Sequence, residues 1–331
     1  MKMSVSIKDV AKISGVSVAT VSRVLNKSGY VSEETKKRVL EAIEKTGYKP
    51  NAIARSLKVK NTRTIGIMIP DISSHFFPEV VRGIEDIANL YNYNIILCNT
   101  DLDREKEEKY LDVLAEKQTD GIIFMSNTVT DTLAEKIKKT GIDVVLISTD
   151  YEDMPSVTIN NMKASEDAVK YIIKKGYKKI AFIGGPMDDP NAGLPRFNGF
   201  VKALTEGGLL LNREYICEGD YRFKSGYKEA KKLFNLPDRP DAIFAASDEM
   251  ALGVIKAAFE MKIRVPEDLG VVGFDDINIS EMSFPSLTTI AQPLYDMGAI
   301  GMRLLTKILN KEKIDSYKIT LEHKLIVRES C

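Results

Sequence analysis

The chain has 331 residues, of which 44% are hydrophobic, and its 47 Lys and Arg residues balance 47 Asp and Glu residues. This length exceeds one ordinary domain and predicts two or three. No apolar run approaches the roughly 20 residues of a membrane helix, and the start lacks the apolar segment of a signal peptide, so we expect a cytoplasmic protein. Three cysteines, Cys98, Cys217 and Cys331, have no metal-ligand spacing, and their odd number argues against a disulfide framework.

Positive charge is concentrated at the N-terminus. Residues 1–63 contain 14 Lys and Arg against five Asp and Glu, a net charge of +9, and the remainder therefore carries −9. A basic segment attached to an acidic body indicates a polyanionic partner that is bound by one end of the molecule. Charge alone leaves DNA, heparin and a membrane surface open as that partner.

Residues 6–26 have the pattern of two short helices joined by a tight turn. Apolar residues recur at helical spacing over 7–14, where Ser6 is placed to cap the helix. Gly15 supplies the turn, and Ser17 is placed to cap a second helix with a stripe of valines. Two short helices joined by a three- or four-residue turn containing Gly are typical of a helix-turn-helix.

A third helix is predicted to begin after Ser32 and to stop at Gly47. Its residues Val39, Leu40 and Ile43 are expected to face the first two helices. The three predicted helices are equally compatible with a DNA-binding helix-turn-helix and with a plain three-helix bundle that has a basic surface. Short basic helices also occur in proteins that do not bind nucleic acid.

The segment 50–58 favours the nucleic-acid alternative. It has helical composition, but it is too short to be a stable isolated helix in water and has little apolar surface to dock. We therefore expect it to order only on binding, when DNA and a symmetry mate supply the missing contacts.

Three separated motifs in this region resemble the N-terminal signature of the LacI/GalR family of bacterial transcription regulators. In order, they are Asp9-Val10-Ala11-Lys12, the segment from Gly15 to Asn26, and Gly47-Tyr48-Lys49-Pro50-Asn51. The segment Ala54-Arg55-Ser56-Leu57-Lys58 resembles the hinge helix of that family. The resemblance implies a homodimer that binds a pseudo-palindromic double-stranded DNA operator through two helix-turn-helix heads and paired hinge helices.

The same resemblance implies the roles of individual residues. Val18, Ala19 and Arg23 match positions that face base edges, and Arg23 is suited to guanine because its planar fork pairs with O6 and N7. Leu57 matches a leucine that wedges into the central operator step from the minor groove. Other positions are expected to contact the DNA backbone or minor-groove edges: Thr20, Ser22, Asn26, Tyr48, Asn51, Ala54, Arg55 and Lys58.

Beyond residue 64, near-continuous apolar strands alternate with helices. Strands are predicted at 65–69, 94–98, 121–125, 143–147, 156–160, 179–183, 214–218, 241–245 and 269–273. The helices between them are predicted at 78–91, 104–117, 131–139, 163–175, 196–206, 225–235 and 248–261. This alternation indicates parallel sheets covered on both faces. The family resemblance implies an α/β body of two Rossmann-like lobes, as in periplasmic binding proteins.

We expect three segments along the chain: a helix-turn-helix domain at 1–50, a hinge helix and linker at 51–63, and an effector-binding and dimerisation body at 64–331. The body is expected to cross between its lobes near Asn160–Met162, Ala291–Pro293 and Glu322–Lys324. The N-lobe then comprises 64–161 and 293–323, and the C-lobe comprises 162–292 and 324–331.

The cleft between the lobes is the expected effector site, because ligands in open α/β sheets bind beyond the carboxyl ends of the strands. Arg196 matches an arginine that sugar-binding members use for paired hydroxyls, and Asp275 matches a carboxylate opposite it. An arginine and a carboxylate suit a polyol, whose hydroxyls both donate and accept. The alternative is that both side chains are merely solvated. The expected cleft residues are Ser73, His75, Phe76, Ser126, Asp150, Asn160, Arg196, Asp248 and Asp275.

Much of the body also resembles the catabolite-control branch of this family, whose corepressor is the phosphocarrier HPr phosphorylated on a serine. Arg303 and Lys307, one helical turn apart, match residues that meet the phosphoserine, with Tyr295 and Asp296 nearby. Two cations at this spacing suit a phosphate dianion. Because Arg196 is typical of effector-binding relatives, a paralogue that answers directly to a small sugar or sugar phosphate stays open. Whether the partner or effector tightens or loosens DNA binding is open as well.

No motif indicates an enzyme. The sequence contains no G-x-x-x-x-G-K-[ST] phosphate loop, no G-x-S-x-G and no Cys/His metal set, and it has only two histidines. We therefore expect neither a cofactor nor a metal. A solute-binding protein would share the two lobes, but it would need a secretion signal and would have no DNA-binding head.

Overall fold

A computed structural model of the chain describes residues 5–26, 28–48 and 62–331. The chain forms two compact units, Met1–Thr62 and Arg63–Cys331, which are described separately below. None of the helices within the described residues is long and apolar enough to cross a membrane.

The N-terminal unit contains three helices, α1 (Ile7–Ser14), α2 (Val18–Asn26) and α3 (Glu33–Thr46). Their small core consists of Val10, Ala11, Val21, Val24, Val39 and Ala42. Leu40 is 50% exposed, so the expectation that it faces the other two helices is wrong. The buried face of α3 runs through Val39, Ala42 and Ile43, at spacings of three and four, and Leu40 lies to one side of it.

Local hydrogen bonds explain where these helices begin and end. The Asp9 carboxylate accepts from the backbone N–H and the hydroxyl of Ser6, at 2.8 and 2.7 Å. The Ser17 hydroxyl accepts from the Thr20 N–H at 3.1 Å. Gly15 follows α1 with a left-handed φ of 67°, a conformation that costs glycine little.

The C-terminal unit contains two six-stranded sheets. The first has the order β11-β5-β4-β3-β1-β2, and all its neighbouring strands are parallel. The second has the order β12-β10-β9-β8-β6-β7, and only β12 is antiparallel to its neighbour. The strands are β1 (Thr64–Ile69), β2 (Asn94–Asn99), β3 (Gly121–Phe124), β4 (Asp143–Ile147), β5 (Ser156–Ile159), β6 (Ile180–Gly184), β7 (Ile216–Glu218), β8 (Ala242–Ala245), β9 (Gly270–Asp275), β10 (Thr288–Ala291), β11 (Lys318–Leu321) and β12 (Lys324–Ile326).

Helices connect the strands of each sheet. They are α4 (Phe77–Leu90), α5 (Arg104–Glu116), α6 (Asp131–Thr140), α7 (Asn161–Lys174), α8 (Gly193–Glu206), α9 (Phe223–Phe234), α10 (Asp248–Glu260), α11 (Asn278–Met282) and α12 (Leu294–Leu309). Helix α8 begins earlier than the predicted 196, because a proline at 195 is compatible with the first helical turn. The segment predicted as a strand at 214–218 begins instead with a 3-10 turn, Arg213–Tyr215.

The chain passes between the two sheets three times. It leaves the first sheet after β5, and α7 then packs against α8 beside the second sheet. It returns after β10, since α12 packs against α4 and β4. It leaves again between β11 and β12. Both lobes are therefore discontinuous in sequence, and the carboxyl ends of their parallel strands border a shared cleft.

Two glycines let α4 and α12 pack closely. A Cβ atom at Gly83 would lie 2.1 Å from the carbonyl oxygen of Tyr295, and one at Gly298 would lie 2.0 Å from that of Val80. Neither helix tolerates a side chain at its glycine without moving apart. The close approach brings the exposed faces of α4 and α12 side by side.

Candidate functional site

The exposed face of α2 carries the side chains that the sequence assigns to base readout. Val18 is 40% exposed although it belongs to the apolar stripe of this helix, and Ala19 and Arg23 are also exposed. The valines that complete the stripe, Val21 and Val24, are buried. Within the described residues Arg23 forms no ion pair, so its guanidinium is available to a ligand.

Polar residues flank this face. The Asn26 amide donates to the Ser22 hydroxyl at 3.2 Å, and the Thr20 and Ser17 hydroxyls are 2.9 Å apart. Tyr48 is half-buried against the core of the head. The remaining residues assigned to DNA contact lie outside the described residues: Asn51, Ala54, Arg55, Leu57 and Lys58.

A cavity of about 140 Å³ lies between the two lobes. This volume is close to the roughly 150 Å³ of a cavity that holds one small ring compound. Four of the nine residues expected in the cleft line it: Phe76, Ser126, Arg196 and Asp275. The Ser126 hydroxyl donates to the Glu107 carboxylate at 2.8 Å.

Arg196 is buried and held by the protein on several sides. Its Nε donates to Asn161 Oδ1 at 2.9 Å, and its Nη1 donates to the carbonyl oxygen of Ala246 at 2.5 Å. The guanidinium lies 3.7 Å from the centroid of the Phe274 ring, in cation–π contact. Within the described residues, Nη2 is the guanidinium nitrogen of Arg196 that donates to no protein group.

Asp275 lies opposite Arg196 at the end of β9. Its Oδ1 is 3.9 Å from Arg196 Nη1 and accepts from Gln292 Nε2 at 2.7 Å. Burial raises the pKa of the Asp275 carboxyl, and the Arg196 charge only partly opposes this. Its backbone has a φ of 121°, which is unusual for a residue other than glycine. The pair therefore stays close without forming a two-bond arginine–carboxylate contact.

The structure places Asp248 beneath the cleft rather than in it. Its carboxylate has no exposed surface and accepts from the Ser280 hydroxyl at 2.7 Å, the Thr289 hydroxyl at 2.5 Å and the Ile277 N–H at 2.9 Å. Burial is the largest cause of the raised pKa of this carboxyl. These bonds tie the loop after β9 to α10 and β10, so the role of Asp248 is structural.

The other four expected cleft residues lie at the rim and bond to protein. The Ser73 hydroxyl donates to Asp71 at 2.6 Å, and Asn160 caps α7 by accepting from the Lys163 N–H at 2.9 Å. The Asp150 carboxylate accepts from Ser156 at 2.7 Å and is paired with Lys318.

Several contacts bridge the lobes across the cleft. The remaining rim residue, His75, lies with its Nδ1 3.3 Å from Glu249 Oε1 of the C-lobe. Arg222 Nη2 is 2.8 Å from Asp71 Oδ2. Asn191 donates to the carbonyl oxygen of Asn127 at 2.9 Å. The two lobes are thus in direct contact across the cleft.

The nine cleft residues that the sequence singled out leave out part of the cavity wall. Tyr221 and Arg222 line it from the loop after β7, and the loop before α8 contributes Asp189 and Asn191. Tyr221 and Arg222 could have been predicted from the sequence, because their loop follows a parallel strand, as the other cleft loops do. The roles of Asp189 and Asn191 depend on distant partners, which the sequence does not reveal.

The exposed faces of α4 and α12 form a separate surface that carries two neighbouring cations on α12. Arg303 and Lys307 are exposed, one turn apart on α12, and within the described residues neither forms an ion pair. The Tyr295 hydroxyl donates to Asp86 Oδ2 at 2.8 Å, which raises the pKa of that tyrosine. Asp296 is exposed at the start of the helix. We call Arg303 and Lys307 the α12 cation pair.

Comparisons with known proteins agree with this architecture. The model for bacterial regulatory proteins of the lacI family matches residues 6–51, and the model for the periplasmic binding protein-like domain matches residues 169–331. The HTH-type transcriptional regulator RegA of Clostridium saccharobutylicum is 48% identical over 99% of both chains. Catabolite control protein A of Priestia megaterium is also 48% identical over 99% of both chains.

Solved structures of transcription regulators are also similar to this chain. The transcription regulator CcpA of Lactococcus lactis has a TM-score of 0.76 at 35% identity, covering 81% of this chain and 98% of that one. A complex of the regulator CelR with cellobiose has a TM-score of 0.75 at 30% identity, over 99% and 100%. The lac repressor dimer bound to operator and an anti-inducer has a TM-score of 0.89 at 26% identity, over 99% of each chain.

The chain belongs to the lacI family of bacterial regulatory proteins. It is a DNA-binding transcriptional regulator with an N-terminal helix-turn-helix head and a two-lobed periplasmic-binding-protein-like body, and it is not an enzyme. It is similar over its full length to catabolite control protein A and RegA.

Proposed function

We propose that the protein is a catabolite control protein A-like regulator of carbon catabolism, which binds a pseudo-palindromic operator as a homodimer with serine-phosphorylated HPr as corepressor. The observation that carries this proposal is the combination of 48% identity over 99% of the chain with an exposed α12 cation pair that forms no ion pair within the described residues. The lac repressor dimer on its operator supports the dimeric assembly by similarity.

The α12 cation pair has the chemistry that a phosphoserine requires. A phosphate dianion accepts several charge-assisted hydrogen bonds, and two exposed cations one helical turn apart meet it without breaking existing ion pairs. Asp86, on the neighbouring helix, accepts from the Tyr295 hydroxyl. Its carboxylate is thereby directed to Tyr295 rather than to Arg303.

The operator part of the proposal is tested by substituting Arg23. Arg23→Ala removes the planar donor fork that pairs with guanine, so preference for operator over random DNA should fall by about 1–3 kcal/mol. Salt-dependent non-specific binding should persist, because the other basic residues of the head are unchanged. Fluorescence anisotropy with both DNAs gives the ratio. Unchanged operator preference would contradict the assignment of α2 as the recognition helix.

The corepressor part is tested by titrating operator affinity with serine-phosphorylated HPr. We expect the phosphoprotein, and not unphosphorylated HPr, to change operator affinity. Arg303→Ala/Lys307→Ala should remove that response and leave operator binding without HPr unchanged. A matched control is Lys109→Ala/Lys117→Ala, which removes two exposed cations from the α5 region on the other face of the same sheet. An equal loss in both double variants would contradict a specific phosphoserine site.

A second candidate is a local sugar-operon repressor that responds directly to a small sugar or sugar phosphate. The observation that favours it is the cavity between the lobes with Arg196 and Asp275 on its wall. CelR, which is similar over the whole chain, was solved with cellobiose. A response of operator affinity to a sugar panel, together with no response to phosphorylated HPr, would select this candidate.

Both candidates use the same conformational coupling. We expect lobe closure to change the separation of the two chain segments that lead to the heads of a dimer, and so to shift the protein between states of higher and lower operator affinity. The size of that shift is set by the difference in ligand affinity between the two states. A corepressor would favour the state of higher operator affinity, whereas an inducer would favour the other state.

A further inference from the structure

We propose that Lys163, Asp167 and His323 form a latch on the connections between the two lobes, which tightens as pH falls and loosens as pH rises. We call these three residues the crossing latch, and the points at which the chain passes between the two sheets the crossings. The inference goes beyond the proposed function, since it involves neither DNA, nor HPr, nor a ligand in the cleft.

Asp167 joins side chains that lie beside two of the three crossings. It belongs to α7, and its two carboxylate oxygens have different partners. Oδ1 accepts from Lys163 Nζ at 2.6 Å, and Oδ2 is 3.0 Å from His323 Nε2. Lys163 lies in the first turn of α7, directly after the first crossing, and His323 lies in the third crossing, between β11 and β12. One carboxylate therefore bonds to two of the segments that connect the lobes.

The backbone around the latch ties the crossings to one another. The Lys163 N–H donates to Asn160 Oδ1 at 2.9 Å, at the end of the first crossing. His323 directly precedes β12, in which Lys324 pairs with Ala291, the last residue of β10 before the second crossing. Helix α7 packs against both of these strands. A change in the direction of the first or the third crossing would therefore alter the distances within the latch, and the latch resists that change.

The imidazole of His323 makes the strength of the latch depend on pH. Histidine is the side chain whose charge ordinarily changes between about pH 5 and 8, whereas carboxylates and lysines ordinarily stay charged in that range. An imidazolium donates from Nε2 to Asp167 in a charge-assisted bond, and a neutral imidazole makes only a weaker bond without the ionic attraction. The His323 side chain is 12% exposed, so solvent screens this attraction less than it would at the surface. The latch is therefore stronger at lower pH.

Hydrogen bonds fix the charges that neighbour Asp167 on α7. The hydrogen bond to Asp167 is the largest cause of the raised pKa of Lys163, which therefore stays charged throughout this range. The Glu166 carboxylate accepts from Lys170 and Lys202, at 2.5 and 2.9 Å, and these bonds lower its pKa to about 2. Neither Lys163 nor Glu166 changes its charge over the range in which an imidazole titrates.

The elements packed against α7 are α8, β8, β9, β10 and β12. Among their side chains, burial raises the pKa of Asp275, at the cleft end of β9, towards neutral pH. Substitution of His323 alone separates the titration of the latch from that of Asp275. The other ionisable residues on these elements, on α7, on β11 and in the third crossing are Tyr171, Lys174, Arg196, Lys202, Glu206, Lys318, Glu322 and Lys324.

The test is hydrogen–deuterium exchange of the full chain, measured by mass spectrometry at about pH 6 and about pH 8. The readout is the exchange rate of peptides spanning 156–163 and 318–326, divided by the wild-type rate at the same pH, so that the intrinsic effect of pH on exchange cancels. We expect both peptides of His323→Gln to exchange about threefold to fivefold faster than wild type at the lower pH, and at nearly the wild-type rate at the higher one.

A permanent cation at the same position separates charge from shape. Arginine stays charged at both pH values, so His323→Arg should match wild type at the lower pH and exchange more slowly than wild type at the higher pH. Asp167→Asn removes the charge that both partners share, and should speed exchange of both peptides at both pH values. The matched control is Glu322→Gln, which removes an exposed charge from the same crossing and should change neither rate.

Three results overturn the proposal. Faster exchange of 318–326 alone in His323→Gln would show that this side chain fixes only its own segment. The same exchange ratio at both pH values in that variant would show that the imidazole charge has no role. Wild-type exchange in Asp167→Asn at the lower pH would show that the carboxylate does not hold the crossings, whatever the arginine variant does. Because the readout contains neither DNA nor HPr, failure of the corepressor proposal is distinguishable from failure of this one.

Discussion

The body of this regulator holds its arginines in two different ways. In the cleft, Arg196 is 5% exposed and is bonded to Asn161 and Ala246. On α12, Arg303 is exposed and, within the described residues, has no ion pair, as is also true of Lys307. The buried Arg196 is bonded into the wall of the cleft, whereas the exposed cations on α12 remain available to a partner. A cation near a proposed phosphate site is informative only when its existing partners are known.

The first prediction concerns stability and has the largest expected effect. Arg196→Ala leaves the Asp275 carboxylate, the Asn161 amide and the Ala246 carbonyl without their partner in a buried site. We expect a loss of about 3–5 kcal/mol in the free energy of unfolding. Arg303→Ala should stay within about 0.5 kcal/mol of the wild type, because it removes an exposed side chain.

Urea unfolding followed by circular dichroism measures both variants, since the chain has no tryptophan. A similar loss in Arg303→Ala would show that the α12 cation pair is structural. A negligible loss of unfolding free energy in Arg196→Ala would contradict the distinction between the buried cation of the cleft and the exposed cations of α12.

The second prediction uses pH to examine Asp275, the buried carboxyl beside Arg196. Burial raises the pKa of Asp275 above its ordinary 3.8, so the folded state binds this proton more tightly than the unfolded state does. The stability that this proton contributes is fully present below the ordinary pKa of the carboxyl. It is lost as pH rises through the raised pKa of the folded state. Asp275→Asn cannot ionise, and should gain about 1–2 kcal/mol of stability relative to wild type between acidic and mildly alkaline pH.

Unfolding curves of both proteins across that pH range test this prediction. A stability difference that stays constant with pH would show that the pKa of Asp275 is not shifted, and one that favours the variant more as pH falls would show that this pKa is lowered; either result would contradict the prediction.

The third prediction concerns the cross-cleft ion pair and has the smallest expected effect. Arg222 is 57% exposed and Asp71 is 15% exposed, so solvent screens their attraction. Arg222→Gln should lower the free energy of unfolding by less than about 1 kcal/mol, and high salt should abolish the difference. A larger, salt-insensitive loss would mean that this bridge behaves like the buried Arg196 rather than like a surface pair.

The sequence predicted elements better than side-chain roles. Alternating apolar strands and helices predict the α/β body, because the parallel strands are buried on both faces and therefore read as continuous apolar runs. The helix-turn-helix was readable from Gly15 and its flanking caps. Leu40 was misplaced because one turn of α3 offers two apolar residues, and only packing decides which of them is buried.

Side-chain roles in the cleft depended on contacts between distant segments. Arg196 was placed at the cleft, but its bonds to Asn161 and Ala246 were invisible in the sequence. Asp248 was assigned to the cleft from its position at a strand end, whereas its carboxylate points to Ser280 and Thr289. A strand-end rule locates a loop, and it does not determine which way a side chain turns.

The most direct test of the account is a calorimetric titration of serine-phosphorylated HPr into the regulator without DNA. We expect Arg303→Ala/Lys307→Ala to weaken this binding by at least about tenfold relative to Lys109→Ala/Lys117→Ala, since only the first variant removes the α12 cation pair. Both double variants should remain folded, as shown by their circular dichroism. Equal affinity of the two variants for the phosphoprotein would contradict the central claim that the exposed cations on α12, and not the committed arginines of the cleft, receive the phosphate.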